Sequence, residues 1–178
     1  MDEIPSYVTG FRHYLDRTLL NLLSNALKFT EKGFVKIKIQ RLNSTQTGFV
    51  IGQPVELEFV VEDSGIGIPQ DKFETIFENF SRLTPSYQGL YKGAGLGLYT
   101  VKRYIDAMQA TIDLESEVGK GSCFTIKLPL IVSDHSDREK ISYRTPEKRK
   151  IRLFRQLKKY SQNISQYASY HTDFNCGR

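Results

Sequence analysis

The sequence predicts an α/β two-layer sandwich, in which helices cover one face of a sheet and leave the other face open. Three observations lead to this fold class. Apolar residues recur at three-and-four spacing over residues 15–26, as in an amphipathic helix. Apolar and charged residues alternate in residues 34–40 and 55–61, as in half-buried strands. Helical and strand patterns then follow one another in mixed order over residues 70–130.

Length and charge indicate one domain with an appendage. The chain has 178 residues, and no apolar run approaches the roughly 18 residues of a membrane span. Residues 1–130 carry a net charge of −1 and residues 131–178 carry +6, so the pI of about 9.1 is set by the tail. We assign residues 1–130 to the folded body and 131–178 to a basic linker or tail that is partly helical. The near-neutral body is not expected to bind nucleic acid.

Cysteine and histidine usage indicates a reduced, cytoplasmic protein. Cys123 and Cys176 lie far apart and match no metal-ligand spacing. Residues 1–5 lack the basic and apolar regions of a secretory signal. The histidines are isolated from one another along the chain, so each is expected at the surface rather than at a metal.

The first helix is expected over residues 17–30, and it carries an unusual polar stripe. Asn21, Asn25 and Lys28 are four and three residues apart, so they share a side that is distinct from the leucine side. Asparagine is a weaker helix former than the Glu, Lys or Gln of an ordinary surface helix. The stripe is therefore either a tolerated solvent face or a cleft face that holds a phosphate or a hydrated ion.

The next elements are a hairpin and two helices. The strands at 34–40 and 55–61 are expected to pair as a hairpin, because no crossover helix separates them. A short amphipathic helix is predicted over residues 70–80, and a longer helix over residues 96–108.

A second hairpin and a change of character follow. Residues 111–117 and 122–130 read as strands around a Gly-Lys-Gly turn. Beyond residue 131, Ile151 is among the apolar residues that fall roughly on one face of a possible helix. A partly ordered linker is the favoured interpretation of this tail. The alternatives are a helix that covers an edge of the body, one that touches an acidic partner or membrane surface, or a lead into a further domain.

Asp63 ends the second strand and precedes a glycine-containing turn. Gly65 and Gly67 permit backbone angles and close approaches that a side chain would block. An Asp in this place can accept a hydrogen bond from an amino group such as N6 of adenine, and if it is buried it needs such partners. The same pattern also occurs in many proteins as plain turn chemistry.

Three alternate glycines, Gly93, Gly95 and Gly97, open the longer helix. Backbone N–H groups at a helix start lie at the positive end of the helix dipole, which suits a phosphate. The spacing is not the Rossmann fingerprint, and no Gly-Lys-Ser/Thr follows as in a P-loop. A flexible hinge without a ligand is the alternative.

Taken together, these segments resemble the catalytic ATP-binding domain of sensor histidine kinases, within the superfamily shared with gyrase, Hsp90 and MutL. The boxes of that domain are matched in order: the N box by residues 21–28, the G1 box by 63–67, the F box by 77–80 and the G2 box by 93–97. The resemblance covers about residues 10–130. It implies the Bergerat fold, a mixed and mostly antiparallel sheet of about five strands with about three helices on one face.

The resemblance implies a role for each matched residue. Asn25 would bind magnesium, and Asn21 would support the phosphate–metal region. Lys28 and Arg82 would complete the catalytic set with Asn21, while Asp63 would recognise the adenine amino group. Phe77 and Phe80 would anchor a mobile lid over residues 81–94. The other expected contacts to Mg-ATP are Phe29, Gly65, Gly67, Ile68, Phe80, Lys92, Gly93, Gly95, Leu96, Gly97, Leu98 and Thr125.

The resemblance also implies the reaction and the partners. The chain would donate the γ-phosphoryl group of ATP to a phosphoacceptor histidine on a separate helical dimerisation domain, which then serves a response regulator receiver domain. The full-length kinase would be a homodimer and this fragment a monomer. ATP-hydrolysing and serine-directed relatives place a general-base Glu where this chain has Asn21, whose amide cannot take a proton near neutral pH. The alternatives are a nucleotide-gated interaction module and a serine-directed kinase of the same superfamily.

Two positions depart from the family pattern. Phe11 stands near a position that is usually acidic, and Gln109-Ala110 stands where the family has a Gly-Gly pair. Both lie outside the expected nucleotide contacts, so they concern the start of a helix and a turn. His13 is followed by Tyr14 rather than by the acidic residue of an H box. We therefore expect His13 to be structural or solvent-facing, and the chain to be a fragment of a larger kinase.

Overall fold

A six-stranded sheet and two α-helices make up the part of the molecule described by a computed structural model, residues 4–42, 48–78, 97–134 and 148–153. The strands are β1 Tyr7–Gly10, β2 Val35–Arg41, β3 Pro54–Asp63, β4 Thr111–Glu117, β5 Gly121–Val132 and β6 Arg149–Arg152. The helices are α1 Arg12–Phe29 and α2 Gly97–Met108. Two short 3₁₀ turns, Gln70–Lys72 and Thr75–Phe77, lie between β3 and α2.

The sheet is antiparallel at every pairing of these strands, in the order β2-β3-β5-β1-β6 with β4 also paired to β5. β3 and β5 pair from Pro54 opposite Ile131 to Asp63 opposite Ser122. On its other edge, the 12-residue β5 pairs with β4 over its first half and with β1 at its end. β5 therefore connects the end of the sheet that carries Asp63 to the end that carries β1.

The core lies between one sheet face and the two helices. β3 turns Leu57, Phe59 and Val61 toward the helices, and each side chain is at most 1% exposed. The leucine side of α1 meets them, as its spacing predicts; its buried members are Leu15, Leu19, Leu22 and Leu23. The other sheet face carries charged side chains such as those of Lys36 and Lys38. The predicted two-layer α/β class is confirmed.

The number of helices differs from the prediction. The described part of the expected helix over 70–80 consists of two 3₁₀ turns, and the chain is extended at Glu78. Isolated short helices are marginal because nucleation is unfavourable. The apolar pattern nevertheless predicted burial correctly, since Ile76 is buried and Phe73 and Phe77 pack against the core.

β1 and β6 are strands that the sequence patterns did not indicate, and they pair with each other. Tyr7 lies opposite Arg152, and Gly10 lies opposite Arg149. β6 comes from the predicted tail, where Ile151 was expected on a possible helix; the structure places it in a strand instead. β5 also extends to Val132, beyond residue 130, where the sequence predicted its end.

The two long helices differ from the prediction only near their ends. α1 begins at Arg12, earlier than residue 17, and the described part of α2 begins at Gly97. Across the described ranges, which omit residues 43–47, 79–96 and 135–147 and both ends of the chain, no helix has the length and apolar character needed to cross a membrane.

Candidate functional site

Asp63 is a buried carboxylate at the end of β3. It is 7% exposed and lies on the helix-facing side of the sheet, where its neighbours along β3 are apolar. Oδ1 accepts the backbone N–H of Gly65 at 2.8 Å. Burial raises the pKa of Asp63 above its ordinary value; hydrogen bonds from the N–H groups of Gly65 and Ser122 and from the Thr30 hydroxyl act against this, and the charge of Glu62 adds to it. The carboxylate is therefore held by protein donors, but burial still disfavours its charged form.

The Thr30 hydroxyl next to Asp63 is a second buried polar group. It lowers the pKa of the carboxyl, yet Thr30 Oγ1 has no partner of normal hydrogen-bond geometry among the described residues. A buried hydroxyl without a full hydrogen bond is destabilising. A polar ligand that reaches Asp63 would also reach this hydroxyl, so the pair forms a small polar site at the edge of an apolar core.

The turn after Asp63 is packed against α1 and the β4–β5 hairpin. The Ile66 N–H donates to the Phe29 carbonyl at 3.2 Å. A Cβ at Gly65 would overlap that same carbonyl, and one at Gly67, where φ is +70°, would overlap the Glu117 carbonyl. Both glycines are thus required by protein packing, which fixes the turn between a helix end and a hairpin.

The polar stripe of α1 faces α2. Asn21 and Asn25 are half-buried, and a Cβ built on Gly97 would lie 3.7 Å from Asn21 Oδ1 and 4.0 Å from Asn25 Nδ2. Nearer the end of α1, Lys28 Nζ lies 4.8 Å from the Phe29 ring centroid. The stripe is therefore not a solvent face in its first half, because the backbone of α2 approaches both amides.

α1 connects the two parts of the site. Its middle carries the two amides beside Gly97, and its last residue, Phe29, contacts the turn that follows Asp63. The amides in the middle of α1 can hold an anionic, metal-bound group, and the buried carboxylate beside its last residue can accept a hydrogen bond from an amino group. A ligand with both chemical features fits this arrangement.

The structure places some of the remaining predicted site residues. Ile68 is buried, and Leu98 packs against the core on α2. Thr125 is not brought to Asp63: it lies opposite Val60 on the other sheet face, and its hydroxyl hydrogen-bonds the Cys123 thiol. The predicted residues outside the described ranges are Phe80, Arg82, Lys92, Gly93, Gly95 and Leu96.

Thr30 and Ser122 are polar residues of the site that the sequence patterns did not indicate. Thr30 directly follows Phe29, so its position after the polar stripe was an available signal. Ser122 reaches Asp63 because the two residues are paired across β5 and β3. That register follows from the tertiary fold, and spacing along the chain does not give it.

Comparison with known proteins gives a family match. Residues 11–132 match the family described as histidine kinase-, DNA gyrase B- and HSP90-like ATPase. The hybrid signal transduction protein dokA of Dictyostelium discoideum is 40% identical over 136 residues, which are 75% of this chain and 8% of that protein. The sensor histidine kinase AruS of Pseudomonas aeruginosa is 38% identical over 127 residues, 71% of this chain and 12% of that protein. The chain thus spans a small part of the length of these relatives.

A solved structure is similar in fold and sequence. The crystal structure of full-length ShkA in complex with AMPPNP matches 70% of this chain and 23% of its own length, with a TM-score of 0.50 and 33% sequence identity.

Proposed function

This chain belongs to the histidine kinase-, DNA gyrase B- and HSP90-like ATPase family, and on that premise we propose that it binds Mg-ATP and donates the γ-phosphoryl group to a histidine on a separate dimerisation domain. In this step the bond from the γ-phosphorus to the bridging oxygen of ADP breaks, a phosphorus–nitrogen bond to the imidazole forms, and the imidazole loses its proton to solvent. The site residues position the nucleotide for that transfer.

The observation that supports the proposal most strongly is the placement of Asp63 relative to the amide stripe of α1. Asp63 and Thr30 would receive the adenine amino group, which would add a donor to a carboxylate whose charged form is disfavoured by burial and would reach the Thr30 hydroxyl, which lacks a full hydrogen bond. The amides of Asn21 and Asn25 would lie at the phosphate end, beside Gly97. α1 spans the distance between these two ends, so this one helix would fix the separation between the adenine and phosphate positions of a bound nucleotide.

Magnesium fits the chemistry of the amide stripe. Mg²⁺ prefers oxygen ligands, keeps several waters and is usually held by one or two protein groups together with substrate phosphates. The Asn25 side chain would supply one such ligand, and Asn21 would support it from one turn away. The ion itself would neutralise charge on the phosphates during transfer.

The partners we propose are those of two-component signalling. The phosphoacceptor domain would belong to the same full-length kinase, a homodimer, and a response regulator receiver domain would take the phosphoryl group next. The hybrid signal transduction protein dokA and the sensor histidine kinase AruS, similar over most of this chain, carry names consistent with that system. A cytoplasmic location follows from the requirement for ATP.

The test is phosphotransfer in trans. We expect the purified chain, mixed with a phosphoacceptor hairpin and radiolabelled Mg-ATP, to produce acid-labile phosphate on the hairpin, and almost no steady-state hydrolysis without it. Replacing the acceptor histidine by alanine is the matched control. Rapid ATP hydrolysis by the chain alone would contradict the role assigned to Asn21. Acid-stable phosphate on a protein substrate would favour the serine-directed alternative.

Nucleotide binding is tested separately by Asp63→Asn. We expect the affinity for ATP to fall by about 2 kcal/mol or more, because a hydrogen bond between a buried charge and the amino group is lost. Calorimetry measures this directly. Unchanged affinity would reject Asp63 as the group that binds adenine.

A further inference from the structure

Ser116 belongs to a polar row that crosses three strands at one end of the helix-facing side of the sheet. Asp63 on β3 lies opposite Ser122 on β5, and Ser122 lies opposite Ser116 on β4. The next row inward is apolar, formed by Val61, Phe124 and Leu114. The polar row thus marks the boundary between the core and the site, and Ser116 is its member farthest from Asp63.

The Ser116 hydroxyl is fully engaged in hydrogen bonds. It accepts the backbone N–H of Ile68 at 2.8 Å. It also lies 2.7 Å from the Gly121 carbonyl and 3.0 Å from Ser122 Oγ. A serine hydroxyl has one proton to donate and two lone pairs to accept with. The short contact to a carbonyl takes that proton, so Ser122 donates to Ser116.

These contacts fasten the turn that follows Asp63 to the β4–β5 hairpin. The Gly119 N–H donates to the Ile66 carbonyl at 2.9 Å, and the Gly67 backbone lies so close to Glu117 that no Cβ would fit. The Ser116 contact holds the next residue, Ile68. Of these three attachments, the one through Ser116 involves a side chain, so it can be removed by substitution while the backbone chemistry is kept.

We propose that Ser116 is a positioning residue for base recognition: it fixes residues 65–68 relative to Asp63, so that the base meets the carboxylate in one orientation, without touching the nucleotide. This inference rests on the proposed binding of ATP at Asp63. The carboxylate can select an amino group only if residues 65–68 keep the base in a fixed orientation. Loosening residues 65–68 therefore weakens ATP binding and reduces the preference for adenine, which carries the amino group, over guanine, which carries a keto group at the same position.

The experiment measures affinity of the full 178-residue chain for Mg-ATP and Mg-GTP by calorimetry. For Ser116→Ala we expect roughly tenfold weaker ATP binding, because a buried Ile68 N–H loses its acceptor and the turn shifts. The preference for ATP, measured as the ratio of the GTP dissociation constant to the ATP dissociation constant, should also fall. Ser116→Thr keeps the hydroxyl and should restore both quantities. Ser116→Cys, which is nearly isosteric and a weak acceptor, should fall between them and remains informative where the alanine variant is poorly folded.

Val55→Ala is the control. Val55 is 6% exposed and lies opposite Leu130, at the end of β3 away from Asp63. The loss of its side chain should lower the melting temperature while leaving the affinity and the base preference unchanged.

The outcomes separate the two proposals. A wild-type chain that binds no ATP would reject the proposed function and this inference with it. A wild-type chain that binds ATP, with Ser116→Ala and Ser116→Cys unchanged in affinity and base preference, would reject the inference alone. Equal losses of affinity and base preference in Val55→Ala and Ser116→Ala would also reject it, because general loosening of the fold would then explain both.

Discussion

Asp63 destabilises the unliganded fold at neutral pH. Because burial raises its pKa, the folded state binds a proton more tightly than the unfolded state. The favourable contribution of protonated Asp63 to the free energy of unfolding is therefore complete below the unfolded pKa near 3.8. It is lost as the pH rises through the folded pKa. At neutral pH the ionised group is held by its hydrogen-bond donors at a cost in folding free energy. A hydrogen bond from a ligand amino group would reduce that cost, so nucleotide binding would stabilise the fold at neutral pH.

The difference in thermal stability between Asp63→Asn and wild type should depend on pH. As the pH rises from about 4 to 7, we expect the melting temperature of the variant to increase relative to wild type, because the amide needs no proton to stay neutral. Thermal denaturation without nucleotide, in buffers of matched ionic strength, measures this trend. A relative melting temperature that falls with pH would contradict the assigned direction of the pKa shift.

Within the part of the chain that the structure describes, Gln109 is the one non-glycine residue with a positive φ, at 57°. It ends α2 in a Schellman arrangement, in which the Gln109 N–H donates to the Asp106 carbonyl and the Ala110 N–H to the Ile105 carbonyl. This is the position at which the family resemblance leads one to expect glycine. The departure noted in the sequence thus corresponds to local backbone strain, far from Asp63.

Gln109→Gly should stabilise the fold by about 1 kcal/mol, since glycine adopts the left-handed conformation without steric cost. Chemical denaturation gives the free energy directly, and the melting temperature should rise by about 2–4 °C. Gln109→Ala is the control and should give no such gain, because alanine keeps the Cβ. A glycine variant less stable than wild type would show that the strain is compensated elsewhere.

At the scale of elements, prediction succeeded where a pattern is long and failed where it is short. The leucine spacing of α1 and the alternation in β2, β3, β4 and β5 are each sustained over several residues, and these elements are present. β1 and β6 have four residues each, too few for periodicity to indicate them. They become strands because they pair with each other and with the end of β5. The turns between Gln70 and Phe77 kept the predicted burial without the helix.

The approach of α2 to α1 makes Gly97 a test of the amide stripe. An alanine methyl would be in ordinary contact with Asn21 and Asn25, so Gly97→Ala should fold with unchanged or higher stability. The methyl would occupy the space proposed for the metal-bound phosphates, and we expect roughly tenfold weaker Mg-ATP binding from overpacking. Calorimetry measures the affinity, and thermal denaturation the stability.

Ala107→Gly provides the matched control in the same helix. Residue 107 is exposed, so glycine there should lower stability by about 1 kcal/mol through helix propensity and leave the Mg-ATP affinity unchanged. If Gly97→Ala binds Mg-ATP as wild type does, the phosphates do not lie beside Gly97.

At the scale of the whole molecule, part of the predicted tail belongs to the sheet. Ile151 and Leu153 are at most 1% exposed and join the core cluster. Three basic residues of this segment have partners outside β6. Lys148 lies 5.7 Å from the Phe11 ring and Arg152 lies 5.7 Å from the Tyr7 ring. Lys150 pairs at 3.0 Å with Asp134, which follows the end of β5. The sequence favoured a partly ordered linker and placed Ile151 on a possible helix, because a strand of four residues is too short for periodicity to indicate it.

Ile151→Ala should lower the free energy of unfolding by about 3 kcal/mol, the scale for removing a fully buried isoleucine side chain. Ile51→Ala is the matched control, because Ile51 is 63% exposed and its loss should change stability by less than about 0.5 kcal/mol. Denaturant titration of both variants separates them. Equal effects would show that β6 does not contribute to the stability of the body.

The antiparallel β1–β6 pair also has a mechanical consequence. Ser6 and Leu153 lie side by side at one end of it, where the Leu153 N–H donates to the Ser6 carbonyl at 3.2 Å. A force applied between these two residues loads the backbone hydrogen bonds one after another, as in a zipper, rather than all at once in shear. β6 would therefore peel away at low tension, while the long β3–β5 pairing that carries Asp63 remains unloaded.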